Sequence, residues 1–203
     1  IEIQTEDVTR FYRIYEEARG QPTAEQLQRQ YLGAGTEGLR HLTRVRNVTA
    51  EGIARAAATQ PELYTNARSC LAALPRIRTR LHRAFENLID LYPGAARPPV
   101  TILISRGRPV AIAGPGEGVQ IALEAMCSPT LARFLGEDID DRFVRVIAHE
   151  YIHVQQALER EDPTVLERAL GEGIAEFIGE LISGGVANVA VHASARGREL
   201  ETE

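Results

Sequence analysis

Between Phe143 and Val154 the sequence is apolar at most positions, and His149, Glu150 and His153 are among the few polar residues that interrupt the run. Phe143, Val144, Val146, Ile147, Ala148, Tyr151, Ile152 and Val154 fall on nearly every face of a helix. A helix apolar all round is one enclosed by other elements. Two imidazoles and a carboxylate enclosed without partners would be destabilising, so they need a reason to be there. Four residues apart on a helix, His149 and His153 project from one face about 6 Å from each other, close enough to grip one metal ion. Glu150 is rotated by about 100° from His149, which brings it beside such an ion. The competing reading is two surface histidines on an exposed helix, and the apolar surroundings argue against it.

Asp140 or Asp141 is placed to cap this helix, which the pattern carries to about Arg160. Asp162-Pro163 restarts the chain, and a second helix runs to Ile182 before Ser183-Gly184-Gly185 ends it. Its apolar face is Leu170, Ile174, Phe177, Ile178 and Leu181. Glu172, Glu176 and Glu180 stack along another stripe, where they repel one another unless something positive lies near. Taken alone, such a stripe reads as a solvated acidic face. Eighteen residues separate Glu172 from His153, and the combination favours a metal ligand. Two histidines and one glutamate leave the fourth tetrahedral position of Zn2+ for water, the pattern of a catalytic rather than a structural site. Glu150 is then the general base for a metal-activated water attacking a polarised carbonyl.

The fold class expected is α+β and mostly helical. Residues 1–95 read as an N-terminal helical region, with helices from Asp7 (a candidate cap) through Tyr15, from Pro22-Thr23 through Tyr31, and over about 49–59, 61–74 and 75–91. Gly33, Gly35 and Gly38 interrupt the second of these, and Tyr92-Pro93-Gly94 stops the last. Residues 96–203 carry the chemistry and form one compact unit with the rest. There Val100–Ile104, Val110–Ala113 and Gly118–Ala125 read as strands separated by Gly/Pro turns. A small three-stranded antiparallel sheet packed with the active-site helix is the natural outcome. In the last strand Val119, Ile121 and Leu123 alternate with Gln120, Ala122 and Glu124. Beyond Gly185 the helical pattern is weak.

A chain of 203 residues is long enough to bury an adequate core. Its net charge is −5, and all 23 basic residues are arginines scattered along the chain, which argues against nucleic acid as a partner. No apolar run approaches the roughly 20 residues of a membrane span. Cys70 and Cys127 either pair, as in an exported protein, or stay as small buried apolar groups. The first residue is Ile1, so the expectation is a processed or trimmed start, with any signal segment already removed.

His149-Glu150-x-x-His153 followed by Glu172-Gly-x-Ala resembles the gluzincin metallopeptidases. The resemblance implies a zincin-like fold, a peptide or protein substrate, Glu172 as the third zinc ligand and Glu176 as the hydrogen-bond partner of His149. A wider similarity runs through Tyr31-Leu-Gly-Ala-Gly-Thr-Glu-Gly-Leu39, Tyr92-Pro93 with the following strand, the segment His149–Gln156 and Glu172–Gly184. Together these resemble a bacterial family of predicted zinc-dependent proteases related to a gliding-motility lipoprotein. That implies an exported, periplasmic or envelope-associated location and a further C-terminal helical part. Gluzincins use a downstream tyrosine or histidine to stabilise the oxyanion. His192 is the candidate, although a histidine in a polar tail also reads as simply exposed. Gluzincins pair extended peptide with an edge strand; Gly118–Ala125, just before the active-site helix, is either that edge or an ordinary strand. Tyr151 reads as packing. His41, His82, Gln155 and Gln156 receive no role. Glu150-x-x-His153 is also a di-iron ligand pattern, but no second Glu-x-x-His pair accompanies it. The remaining alternative is a non-catalytic zinc-binding envelope protein acting in assembly or partner binding; retention of Glu150 favours catalysis. Cleavage specificity and oligomeric state are not legible.

Overall fold

A computed structural model describes residues 1–136, 138–156, 163–186 and 192–194. The chain opens with a short strand, β1 (Ile3–Gln4), and continues into α1 (Glu6–Glu17). Next come α2 (Ala24–Leu27), which widens into a π-turn over Gln28–Leu32, and then α3 (Glu37–Arg46), α4 (Ala50–Thr59), α5 (Pro61–Cys70) and α6 (Leu74–Leu91). Threonine hydroxyls at 23, 36 and 49 accept a backbone N–H at the starts of α2, α3 and α4, and Pro61 sits in the first turn of α5. The second half holds β2 (Val100–Leu103), β3 (Ala111–Gly114) and β4 (Gly118–Ala122). It continues through α7 (Leu123–Met126), α8 (Pro129–Leu135), α9 (Ile139–Gln155) and α10 (Val165–Ser183).

The sheet is four-stranded and mixed, in the order β1-β2-β4-β3, rather than three-stranded and antiparallel. β1 and β2 run parallel, as do β2 and β4, and only β3 with β4 is antiparallel. The N-terminal region therefore supplies an edge strand, two residues too short to show a period-2 pattern. β4 lies between two partners and all five of its residues are buried, so both its faces are covered. The alternation read over Gly118–Ala125 is thus not a half-exposed strand, and its last part, from Leu123, turns into α7.

Two expected caps move. Asp7 lies inside the first turn of α1, fully buried, where its carboxylate pairs with Arg10 and accepts hydrogen bonds from the backbone N–H and hydroxyl of Thr36. It therefore ties α1 to the start of α3 instead of capping its own helix. Asp138, not Asp140 or Asp141, caps α9 by accepting from the Asp141 N–H. Asp140 and Asp141 instead pair with Arg76 and Arg80 of α6. α9 ends at Gln155, where Gln156 takes up an extended backbone, rather than running to about Arg160, and the weak pattern after Val186 lies outside the described residues, except for 192–194.

One contiguous core joins both halves, from Ile3 to Ile182. Cys70, the last residue of α5, is disulfide-bonded to Cys127 at the end of α7, so the paired alternative holds. Buried tyrosines brace the exit of β2: Tyr31 donates to the Ile104 carbonyl and Tyr64 to that of Ser105. No helix among the described residues is long and apolar enough to cross a membrane.

Candidate metal centre

α9 is enclosed by β3, β4, α6 and α10, which accounts for its apolar composition. Tyr151 is buried on α9, its ring 4.5 Å from that of Phe85 and its hydroxyl donating to the Pro98 carbonyl. That side of α9 is packing. On another face the imidazoles of His149 and His153 stand together, their Nε2 atoms 3.1 Å apart. α10 runs alongside at close range: a Cβ at Gly179 would lie 3.2 Å from both the N and the Cα of His149. That approach carries Glu172 and Glu176 to the histidines. Glu172 Oε2 lies 3.3 Å from His149 Nε2 and 3.4 Å from His153 Nε2.

The outward-facing ring nitrogens are also held. His149 Nδ1 is 3.1 Å from Glu176 Oε2, and His153 Nδ1 is 2.8 Å from Gln156 Oε1. Both oxygens are acceptors, so each Nδ1 carries its proton, and in a neutral ring the Nε2 lone pair then points inward. Two lone pairs and a carboxylate oxygen converge within 3.1 to 3.4 Å and repel unless a proton or a cation lies among them. Tetrahedral zinc with bonds of about 2.0–2.1 Å sets its ligand atoms about 3.3–3.4 Å apart. The donor set therefore fits that ion in type and spacing. The Glu172 side chain is 67% exposed, so the centre is open to solvent on the α10 side.

Glu150 lines a cleft of about 280 Å³ together with His149 and Glu176, walled by Val110, Ala111, Leu131 and Leu135. Burial in this apolar setting pushes its carboxyl above the ordinary value. β3 occupies the sheet edge here, and Ala111 belongs to it, whereas β4 lies inside the sheet. The free edge beside the site is therefore β3, not the strand beginning at Gly118.

His192 does not line the cleft that holds Glu150. Its Nε2 lies 3.1 Å from Glu180 Oε1 and 3.7 Å from Glu176 Oε1, so the third glutamate of the stripe faces this histidine rather than the pair on α9. Gln156, assigned nothing from sequence, is a positioning residue: it holds His153 and donates to the Gly171 carbonyl, linking the end of α9 to α10. Its position three residues after His153 was the available signal. Gln155 instead fastens the backbone at Ala96, and His41 pairs with Glu117 away from the centre. No family model matches the chain, and no curated protein or solved structure matches it either.

Proposed function

We propose that the chain is a zinc-dependent peptide-bond hydrolase with a zincin-like arrangement of α9, α10 and the sheet. His149, His153 and Glu172 are the metal ligands, and Glu176 orients His149. The observation that carries this reading is the triangle of His149 Nε2, His153 Nε2 and Glu172 Oε2, with edges of 3.1, 3.3 and 3.4 Å. Zinc bound there supplies Lewis acidity toward a substrate carbonyl and an attacking water. Glu150 accepts the proton of that water and later delivers it to the leaving amine. Its place in the cleft beside His149 suits a group that takes up and then releases a proton next to the metal. The free edge of β3 favours an extended peptide as the substrate, held by main-chain hydrogen bonds. The Cys70–Cys127 disulfide accords with an oxidising, exported location.

One observation favours the non-catalytic alternative. His192, the candidate for oxyanion stabilisation, is engaged by Glu180 and Glu176. The two readings separate in one experiment, comparing wild type, Glu150→Gln and His153→Ala for bound zinc and for cleavage of a mixed peptide library. A hydrolase shows stoichiometric zinc in the first two, loss of zinc in the third, and cleavage by wild type alone. Zinc without cleavage in wild type supports the binding protein, and no zinc in any form rejects both.

A further inference from the structure

A cleft of about 920 Å³ lies next to the candidate metal centre. Its lining shares Val110 and Leu131 with the smaller cleft that holds Glu150, so the two are neighbouring parts of one depression. Arg46, Arg106 and Arg108 line it, and no acidic residue does so among the described residues. None of the three makes an ion pair among the described residues, although the chain as a whole carries a net charge of −5. The arginine-bearing turn is braced from below. The Gly107 N–H donates to the buried carboxyl of Glu124, the Ser105 hydroxyl to the Arg108 carbonyl, and Arg106 to the Arg46 carbonyl. The remaining lining mixes polar Gln60, Ser128 and Thr130 with apolar side chains, among them Leu63 and Phe134, the latter 70% exposed.

We infer that this cleft binds a stretch of peptide substrate carrying Asp or Glu beside an apolar residue, and that it makes the hydrolase selective for acidic sequences. Three cations of one sign in a concave surface focus their field where an extended chain leaves the catalytic cleft. Guanidinium groups offer paired N–H donors that match carboxylates. Leu63, Leu131 and Phe134 take an intervening apolar side chain, a feature that favours peptide over nucleic acid. The assignment of this peptide as substrate rests on the hydrolase reading; the binding itself does not.

The test uses the full-length Glu150→Gln protein with zinc, so that nothing is cleaved. Fluorescence anisotropy follows fluorescein-labelled unstructured peptides of matched length, rich in Asp and Leu, in Lys and Leu, or in Ser and Leu. The acidic peptide is expected to bind tightest, to weaken as salt rises, and to lose about tenfold in affinity when Arg106→Ser and Arg108→Ser are combined. Arg46→Ser, in a different element, is expected to weaken the same peptide, which guards against a folding defect in the turn. Equal binding of the three peptides, or an unchanged affinity in both variants, overturns the inference. So does tighter binding of a single-stranded oligonucleotide that the same variants abolish. Selective acidic binding with no cleavage by the wild type would sink the hydrolase reading and keep the cleft. Cleavage indifferent to acidic residues would do the reverse.

Discussion

The contact between α9 and α10 at Gly179 sets the geometry of the proposed metal centre, and a single methyl group tests this. A Cβ there would sit 3.2 Å from the N and Cα of His149, backbone atoms that cannot rotate away. Non-bonded carbons rest about 3.5–4.0 Å apart, so Gly179→Ala pushes the helices apart by about 0.3–0.8 Å. Overpacking of this kind costs about 1–3 kcal/mol, while replacing a mid-helix glycine by alanine returns about 1 kcal/mol in helix propensity. The expected net is a loss of about 0–2 kcal/mol. Gly173, on the same helix with nothing within 4 Å of its Cβ position, is the control. Gly173→Ala feels only the propensity term and gains about 1 kcal/mol. The distances of 3.3 and 3.4 Å from Glu172 to the histidines span the same gap. Metal sites tolerate displacements of only about 0.5 Å, so zinc affinity in Gly179→Ala should fall by about tenfold or more. Urea denaturation of the metal-free proteins and chelator competition for zinc measure the two effects. Equal stabilisation in both variants with unchanged zinc affinity would refute the idea that this helix contact sets the site.

Other measurements follow from the same structure. Glu124 is buried and its pKa is pushed up to about 7 from 4.5, chiefly by desolvation, so the unfolded chain loses this proton first. Its stabilising contribution is present in full below about pH 4.5 and is lost as pH rises to about 7, a change of about 3 kcal/mol. Glu124→Gln removes that dependence, and urea titrations across this range should show the variant gaining by that amount on wild type. Glu176→Gln leaves the three proposed ligands in place but weakens the hold on His149 Nδ1, so zinc affinity is expected to drop by about 10–100-fold, read by chelator competition. Cys70 and Cys127 are 57 residues apart, and replacing both with serine should lower the urea-derived stability by about 2–4 kcal/mol.

Most of the helices were legible because each carries both a period and a boundary. α4, α5 and α6 begin at Thr49-capped, Pro61-opened and Pro75-containing starts, and their buried faces recur at helical spacing. The sheet was less legible. β1 has two residues, and β2 and β4 are buried on both faces, so a period-2 signal cannot separate parallel from antiparallel pairing. Register and neighbours come from where α1 to α6 return the chain, which is tertiary information. Capping failed for a related reason: several acidic residues cluster at the start of α9, where Asp140 and Asp141 of its first turn pair with Arg76 and Arg80 of α6 and Asp138 is the cap. At the centre, helical spacing brought His149 beside His153. The meeting with Glu172 was foreseen from a motif, and Gln156 was overlooked because its role depends on where α9 ends.

The orientation of α10 shows how strongly the centre bears on the fold. By the usual rule its apolar stripe should face the core. Instead Leu170, Ile174, Phe177 and Leu181 are each more than half exposed, while Ala175, Gly179 and Ile182 are buried. The glutamates at 172 and 176 turn toward α9 and meet His149. Small residues at the contact let the two helices approach, but small residues bury little apolar area. Docking α10 in this orientation therefore draws heavily on its polar contacts, and three electron-rich donors within 3.4 Å of one another oppose it unless something positive lies between them. A cation at the centre reverses that term. Binding there and seating of α10 are then a single linked equilibrium, in which each stabilises the other by the same free energy. On this view, Glu172 and Glu176 of the carboxylate stripe meet the histidines of α9 because the proposed ligand set draws them there, although Glu172 stays open to solvent.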